Sequence, residues 1–172
     1  AKGVVQNGDG VVSYTKDPTT GQVTAELESG KKIVGDVLIG ADGIWSAVRS
    51  KMRDEPARGE GSGASYSGYT VFAGELNYDS PDAGKVGYKV YIGPGQYFVI
   101  TDIGNGRYQW YAFLARPPGS VSDPKPEGSS KYLQDLFAVW SSEIHAILTV
   151  TKEDEIQQRD LYDRPPSVGK PW

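Results

Sequence analysis

The stretch DVLIGADGIWSAVR, residues 36–49, decides the fold. An apolar run meets Ala41-Asp42-Gly43, and an amphipathic segment ending in Arg49 follows at once. DVLIG is apolar nearly throughout, which predicts a strand buried on both faces of a layered sheet. After it, Ile44, Trp45, Val48 and Met52 share one helical stripe. The acidic residue and glycine at this corner admit two readings. Asp42 can cap the helix through a backbone N–H while Gly43 supplies an unusual φ, or the turn can face a ligand.

Upstream, GVVQ, VVSY, VTAEL and KKIV read as short strands. They are divided by Asn7-Gly8 or Asp9-Gly10, by DPTTG and by Ser29-Gly30, all of them turn-forming. Downstream, residues 53–64, RDEPARGEGSGA, are charged, Gly-rich and aperiodic, as expected of a loop between two structural units. Then SYSGYTVFAGEL, VGYKVYIG, GQYFVITDI and RYQWYAFLA predict an antiparallel sheet of about four strands. PPGSVSDPKPEGSS is a Pro/Ser loop. It leads into KYLQDLFAVWSSEIHAILTV, where Leu133, Phe137, Trp140, Ile144, Ile147 and Leu148 predict a helix covering one sheet face. Thr151 and Asp154 have capping-box spacing for a short helical turn, and IQQRDLYDR reads as extended.

Composition removes several classes of function. With 172 residues the chain can hold one domain with a core, or parts of two. A net charge of −4 and no Lys/Arg cluster argue against a nucleic-acid partner. The absence of cysteine excludes disulfides, thiolate catalysis and Cys-based zinc sites. No apolar run is long enough for a transmembrane helix, and both ends read like cuts made in a longer protein.

The motifs that carry chemistry elsewhere are weak here. GEGSGA has G-x-G-x-x-A spacing at Gly59, Gly61 and Ala64, but it precedes a strand, whereas a pyrophosphate needs a helix N-terminus. His145 is the only histidine and lacks a neighbouring carboxylate or nucleophile in sequence, so no catalytic triad or histidine metal site is expected. The acidic run TKEDE, residues 151–155, reads as a solvated helix turn rather than a metal loop. No catalytic side chain is nominated.

The aromatics say more. Eleven Tyr and four Trp fall mostly in strands, where many must fill the core. On GQYFVITDIGNGRYQWYAFLA, a three-residue Gly-Asn-Gly loop would align Tyr97, Thr101, Gln109 and Tyr111 on one face. Phe98, Ile100, Trp110 and Leu114 would then pack under the helix. A two-residue Asn-Gly turn would mix those sets, because a register slip of one flips every side chain. The first arrangement offers a polar-tipped aromatic face, suited to a large apolar ligand.

With its apolar run, Asp42-Gly43, Ser46 and Arg49, the opening stretch resembles the Asp-Gly motif of single-component FAD-dependent monooxygenases of the para-hydroxybenzoate hydroxylase type. YSGYTVFAGEL, VGYKVYIG, QYFVITDIGNGRYQWYAF and QRDLYDRPP narrow the resemblance to the zeaxanthin epoxidases of plants and algae, over essentially the whole chain. The resemblance implies an α+β fold: part of an FAD-binding domain, made of the β-meander and the Asp-Gly strand-helix, plus an antiparallel substrate-domain sheet covered by a helix. It implies a partial FAD-binding domain over 1–53, a linker loop over 54–64, a substrate-binding sheet domain over 65–160, and a return segment over 161–172. It implies epoxidation of zeaxanthin to antheraxanthin and violaxanthin, in the xanthophyll cycle and abscisic acid pathway. FAD is the cofactor, NADPH the electron source and O2 the co-substrate, in a chloroplast enzyme at the thylakoid membrane or in the stroma.

Carried onto this sequence, Asp42, Gly43 and Arg49 become cofactor-binding residues. Tyr97, Tyr111 and Phe113 are the substrate-side candidates, from the face argument. The family's N-terminal G-x-G-x-x-G and its C-terminal Gly-Asp motif have no counterpart in these 172 residues. The expectation is therefore a central fragment that is inactive alone and retains no flavin absorbance on purification with FAD. Two other readings stay open: another flavin hydroxylase acting on an aromatic or isoprenoid substrate, and a non-catalytic β-sheet module that binds an apolar ligand.

Overall fold

The structure is a computed structural model and describes residues 5–121 and 127–166. Parts of the GVVQ run, the Pro/Ser loop and the return segment lie outside the described residues. The chain divides into two compact units, Ala1–Ser65 with Tyr162–Trp172, and Tyr66–Leu161.

The first unit is built on an antiparallel meander of β1 (Val11–Lys16), β2 (Val23–Leu27) and β3 (Lys32–Gly35). The β1–β2 turn closes on Asp17, whose carboxylate accepts the N–H groups of Thr19 and Thr20, as an Asx turn does. Ala25 and Leu27 are buried on the central strand. Residues 7–10 do not form the expected hairpin. They are irregular, and Asp9 instead accepts hydrogen bonds from the backbone and hydroxyl of Ser29.

DVLIG corrects a sequence expectation. Residues 37–40 belong to no strand, and Val37 and Ile39 are 73% and 80% exposed. An apolar run becomes a buried strand only when neighbours supply both a hydrogen-bond ladder and covering side chains. The meander ends at Gly35, and no strand among the described residues pairs with 37–40. Helix α1 (Ala47–Arg53) begins three residues later than the Ile44 stripe suggests. Ser46 is its N-cap, and Trp45 lies before the helix, edge-on to Tyr162 at 5.1 Å between ring centroids.

The second unit is a five-stranded sheet in the order β5-β6-β7-β4-β8, with β4 (Ser65–Asn77), β5 (Tyr88–Gly93), β6 (Gln96–Gly104), β7 (Arg107–Ala115) and β8 (Gln157–Asp163). It has one strand more than expected, because IQQRDLYDR returns to lie beside β4. The face assignment holds, but by another route. The β6–β7 turn is a two-residue Asn105-Gly106 turn with φ of 57° and 73°, so Gly104 pairs with Arg107. A bulge at Ile103 then takes up one residue, and Asp102 pairs with Tyr108, Thr101 with Gln109 and Tyr97 with Phe113. The bulge restores the register that a three-residue loop would have given.

Phe98, Trp110, Ala112 and Leu114 are fully buried on the covered face, joined by Phe72. Gly74 is required there: a Cβ at that position would stand 2.6 Å from the Trp110 ring. The covering element is two helices, not one: α2 (Ser129–Leu136) and α3 (Ser142–Val150). The apolar stripe runs through the break, with Leu133 and Phe137 on one side and Ile144, Ile147 and Leu148 on the other, all fully buried. Ser141 caps α3 by accepting the Glu143 N–H, and Val139 in the break is 94% exposed. Thr151 does not cap the short turn that follows; it is the C-cap of α3, its N–H donating to the Ile147 carbonyl. Its hydroxyl accepts the buried Trp110 Nε1–H at 3.0 Å and donates to the Ile147 carbonyl, while Glu153–Glu155 forms a short 3₁₀ turn without a side-chain cap.

Candidate functional site

The Asp-Gly corner belongs to the first unit. Asp42 uses both carboxylate oxygens locally: Oδ1 accepts the Ser46 hydroxyl, and Oδ2 accepts the backbone N–H of Ala47 at 2.8 Å and, more weakly, that of Val48 at 3.4 Å. Ser46 Oγ in turn accepts the Arg49 N–H at 2.9 Å. The first three N–H groups of α1 are thus all satisfied by two side chains. Burial, the largest single influence on Asp42, pushes its carboxyl up. The hydrogen bonds from Ser46, its own backbone, Ala47 and Val48 outweigh that and hold it below the ordinary value.

Gly43 has φ of +82° and open space where a Cβ would stand, so backbone conformation rather than crowding calls for glycine. Residues 39–43 are exposed, which leaves their peptide edges accessible to a flat ligand. Arg49 is different. Its side chain is only 16% exposed, Nη1 reaches Glu55 at 3.4 Å, and Nε and Nη2 are buried without a partner. Arg164 donates from Nε and Nη2 to the Ile44 carbonyl. Burial, then the nearby Arg49 charge, lowers the proton affinity of Arg164. Two guanidinium groups sharing one carboxylate leave this corner with donors to spare. An FAD oxygen is a group that exposed backbone at 39–43 and orphaned Arg49 donors could accommodate, so the residues present fit the cofactor that the resemblance implies.

Tyr97, Tyr111 and Phe113 come together on the uncovered face of the second unit. Tyr97 and Phe113 are cross-strand partners, stacked at 4.2 Å between centroids with planes 10° apart. Tyr69 sits edge-on to Tyr97 at 5.8 Å, and Tyr111 lies 6.1 Å from Phe113. With Tyr88 and Val99 they line a shallow cavity of about 250 Å³. Burial, then the neighbouring phenols of Tyr69 and Tyr88, raises the Tyr97 pKa. Sequence reasoning missed what adjoins it: Val71, Ala73, Gln109, Gln157 and Arg159 line a second cavity of about 280 Å³ that shares Tyr111 with the first. The extended reading of IQQRDLYDR was the one available signal for it.

Other candidates resolve as structure. His145 is half-buried on α3. The Gly59–Ala64 stretch forms turns leading into β4. Glu153, from the acidic run, accepts the Ser129 and Ser130 N–H groups and so closes the N-terminus of α2. Among the described residues no group of three His, Cys, Asp or Glu is placed to hold a metal ion, and no helix is long and apolar enough to cross a membrane.

This pair of units has known counterparts. The fold is that of FAD-binding monooxygenases. Klebsiella pneumoniae HpxO, solved with FAD and uric acid, matches 91% of this chain with a TM-score of 0.69 at 21% identity, over 38% of its own length. A Photorhabdus luminescens protein assigned as an FAD-containing monooxygenase matches 95% with a TM-score of 0.65 at 18% identity, over 48% of its length. A salicylate hydroxylase in complex with substrate matches 91% at 0.54 and 18% identity, over 41% of its length.

In sequence the chain is similar to the chloroplastic zeaxanthin epoxidases of plants. It is 41% identical to that of Spinacia oleracea over 165 residues and 42% identical to that of Oryza sativa, in each case across 96% of this chain. The chain spans about a quarter of the length of these curated relatives, 23% and 24% respectively. No protein-family model matches it.

Proposed function

We propose that this chain is the central section of an FAD-dependent monooxygenase that epoxidises zeaxanthin to antheraxanthin and then violaxanthin. The observation that carries the reading is the uncovered aromatic face of the second sheet, in a chain so similar to zeaxanthin epoxidases. A carotenoid is long, apolar and hydroxylated at its ends. Stacked Tyr97 and Phe113, with Tyr69, Tyr88 and Val99 around them, offer a broad apolar floor for such a molecule.

The division of labour follows the two units. Unit one, with Ala1–Ser65, is the cofactor side, and unit two is the substrate side. FAD, when bound, supplies the oxygen-transfer chemistry, with NADPH as electron source and O2 as co-substrate. Asp42 holds the turn by capping α1, Gly43 lets the backbone take the required conformation, and Arg49 offers its two unpaired donors to an acceptor oxygen. Tyr97, Tyr111 and Phe113 orient the ring and exclude water from it. The relatives' chloroplast setting supports a reaction in the plastid, and a substrate this apolar favours the thylakoid membrane as its source.

The test is binding. Zeaxanthin should quench the intrinsic fluorescence of the chain, and Phe113→Ala should weaken that by about tenfold or more, as loss of a central aromatic contact does. Equal quenching by wild type and the Phe113→Ala, Tyr97→Ala pair would contradict the assignment of this face.

A further inference from the structure

Three shallow cavities run side by side across the open face of the second unit. The first is lined by Tyr88, Tyr97, Val99, Tyr111 and Phe113. The second shares Tyr111 and adds Gln109, Gln157 and Arg159. The third shares Gln109 and Gln157 and reaches Glu75 and Glu155. Across five strands spaced about 4.8 Å apart this is a trough of roughly 19 Å. One end is apolar and the other polar.

The hydrogen bonds at the junction have a direction. A carboxylate can only accept, so the Gln109 amide must turn Nε2 toward Glu75 Oε1, 3.1 Å away. Gln109 Oε1 then faces Tyr111, and at 2.6 Å the Tyr111 hydroxyl must be the donor. Arg107 donates to the other oxygen of Glu75. Every donor in the row points to Glu75, and the Tyr111 oxygen is left as an acceptor where apolar and polar cavities meet.

We propose that Tyr111, oriented by Gln109 and Glu75, is the end-group subsite of this face and accepts a hydrogen bond from a hydroxyl on an elongated, otherwise apolar ligand. This rests on the reading of the face as a carotenoid site. A ligand hydroxyl donating to Tyr111 Oη extends the row, and each link polarises the next. Its apolar remainder then lies on Tyr97 and Phe113. A hydrocarbon of the same shape covers the phenol oxygen without offering a donor, which costs affinity. Tyr111 and Gln109 are therefore specificity-determining residues that separate a hydroxylated ring from a bare one.

The experiment compares zeaxanthin with β-carotene, which has the same carbon frame without ring hydroxyls, on the intact chain. The readouts are tryptophan quenching and induced circular dichroism in the carotenoid band. The wild-type chain should prefer zeaxanthin by about tenfold, the worth of one hydrogen bond to a covered group. Tyr111→Phe and Gln109→Leu should each remove the preference, with zeaxanthin binding weakened and β-carotene binding equal to the wild type's or tighter. Binding of neither carotenoid would overturn the reading of the face, and the subsite with it. Binding of both without preference, or a preference that survives Tyr111→Phe and Gln109→Leu, would overturn the subsite alone.

Discussion

Asp102 stands opposite Tyr108 across the β6–β7 hairpin, although the turn between them pairs Gly104 with Arg107. The odd residue is Ile103, which bulges out of the ladder and is 41% exposed. That one residue decides which side chains face the helices. Without the shift, β6 and β7 would be out of phase, and each face would mix residues of the Phe98 and Trp110 set with those of the Tyr97 and Tyr111 set.

Deleting Ile103 should therefore be tolerated. Asp102 would follow directly on Gly104 in the ladder, and every pair from Asp102–Tyr108 outward would keep its partner. A stability change within about 1 kcal/mol is expected, as for an exposed bulge residue. Deleting Val99 instead should prevent folding, because half of β6 would present the wrong face. Urea unfolding of the two variants is the measurement.

At the Asp-Gly corner, Asp42→Ala and Ser46→Ala should each destabilise the first unit by about 1 kcal/mol, the usual cost of a lost helix cap. The double variant should cost less than the sum, since Asp42 and Ser46 hydrogen-bond to each other. Asp42→Asn should be milder, because an amide oxygen still accepts the Ala47 N–H. Thermal unfolding of the series checks this.

The same corner has a pH dependence with a definite sign. The Asp42 carboxyl is held below its ordinary value of 3.8 in the folded chain, so the folded state favours the ionised form. Its contribution is present above 3.8 and is lost as the pH falls through the lower folded value. The difference in melting temperature between wild type and Asp42→Asn should be constant near neutrality and close in acid below that point. A gap that widened on acidification would contradict the hydrogen-bond geometry.

Much of this was legible in the sequence. Alternation in β6 and β7 announces a two-faced sheet, and the large apolar residues alone identify the buried side. The Asn-Gly pair gives the turn, yet nothing local marks Ile103 as extra, because a bulge is chosen by the packing of both faces together. The single-helix expectation for 131–150 failed because the apolar stripe stays in phase across the break. Only Ser141, a good cap in mid-pattern, hinted at two helices. DVLIG misled for a different reason: apolar character predicts burial only where partners exist, and the described residues bring none to 37–40. The Glu75–Gln109–Tyr111 row was out of reach, since it joins strands 34 residues apart.

Beneath the sheet, Gly74 and Trp110 fit each other closely, and the ring's N–H is spent on Thr151. Gly74→Ala should force the indole to shift and cost about 1–3 kcal/mol, as overpacking does. Thr151→Val keeps the shape but strands a buried donor, at a similar cost of about 1–3 kcal/mol. Both should leave carotenoid binding on the opposite face unchanged, which the fluorescence titration would show.

The central claim is that the open face of this sheet presents a hydroxylated carotenoid ring to flavin chemistry. The most direct measurement is product analysis on a full-length polypeptide carrying this chain, supplied with FAD, NADPH, O2 and zeaxanthin. The account predicts that zeaxanthin gains one and then two oxygen atoms as ring epoxides, and that Phe113→Ala slows this by about tenfold or more while flavin absorbance is retained. Zeaxanthin recovered unchanged from a flavin-loaded polypeptide that hydroxylates a small aromatic acid would contradict it.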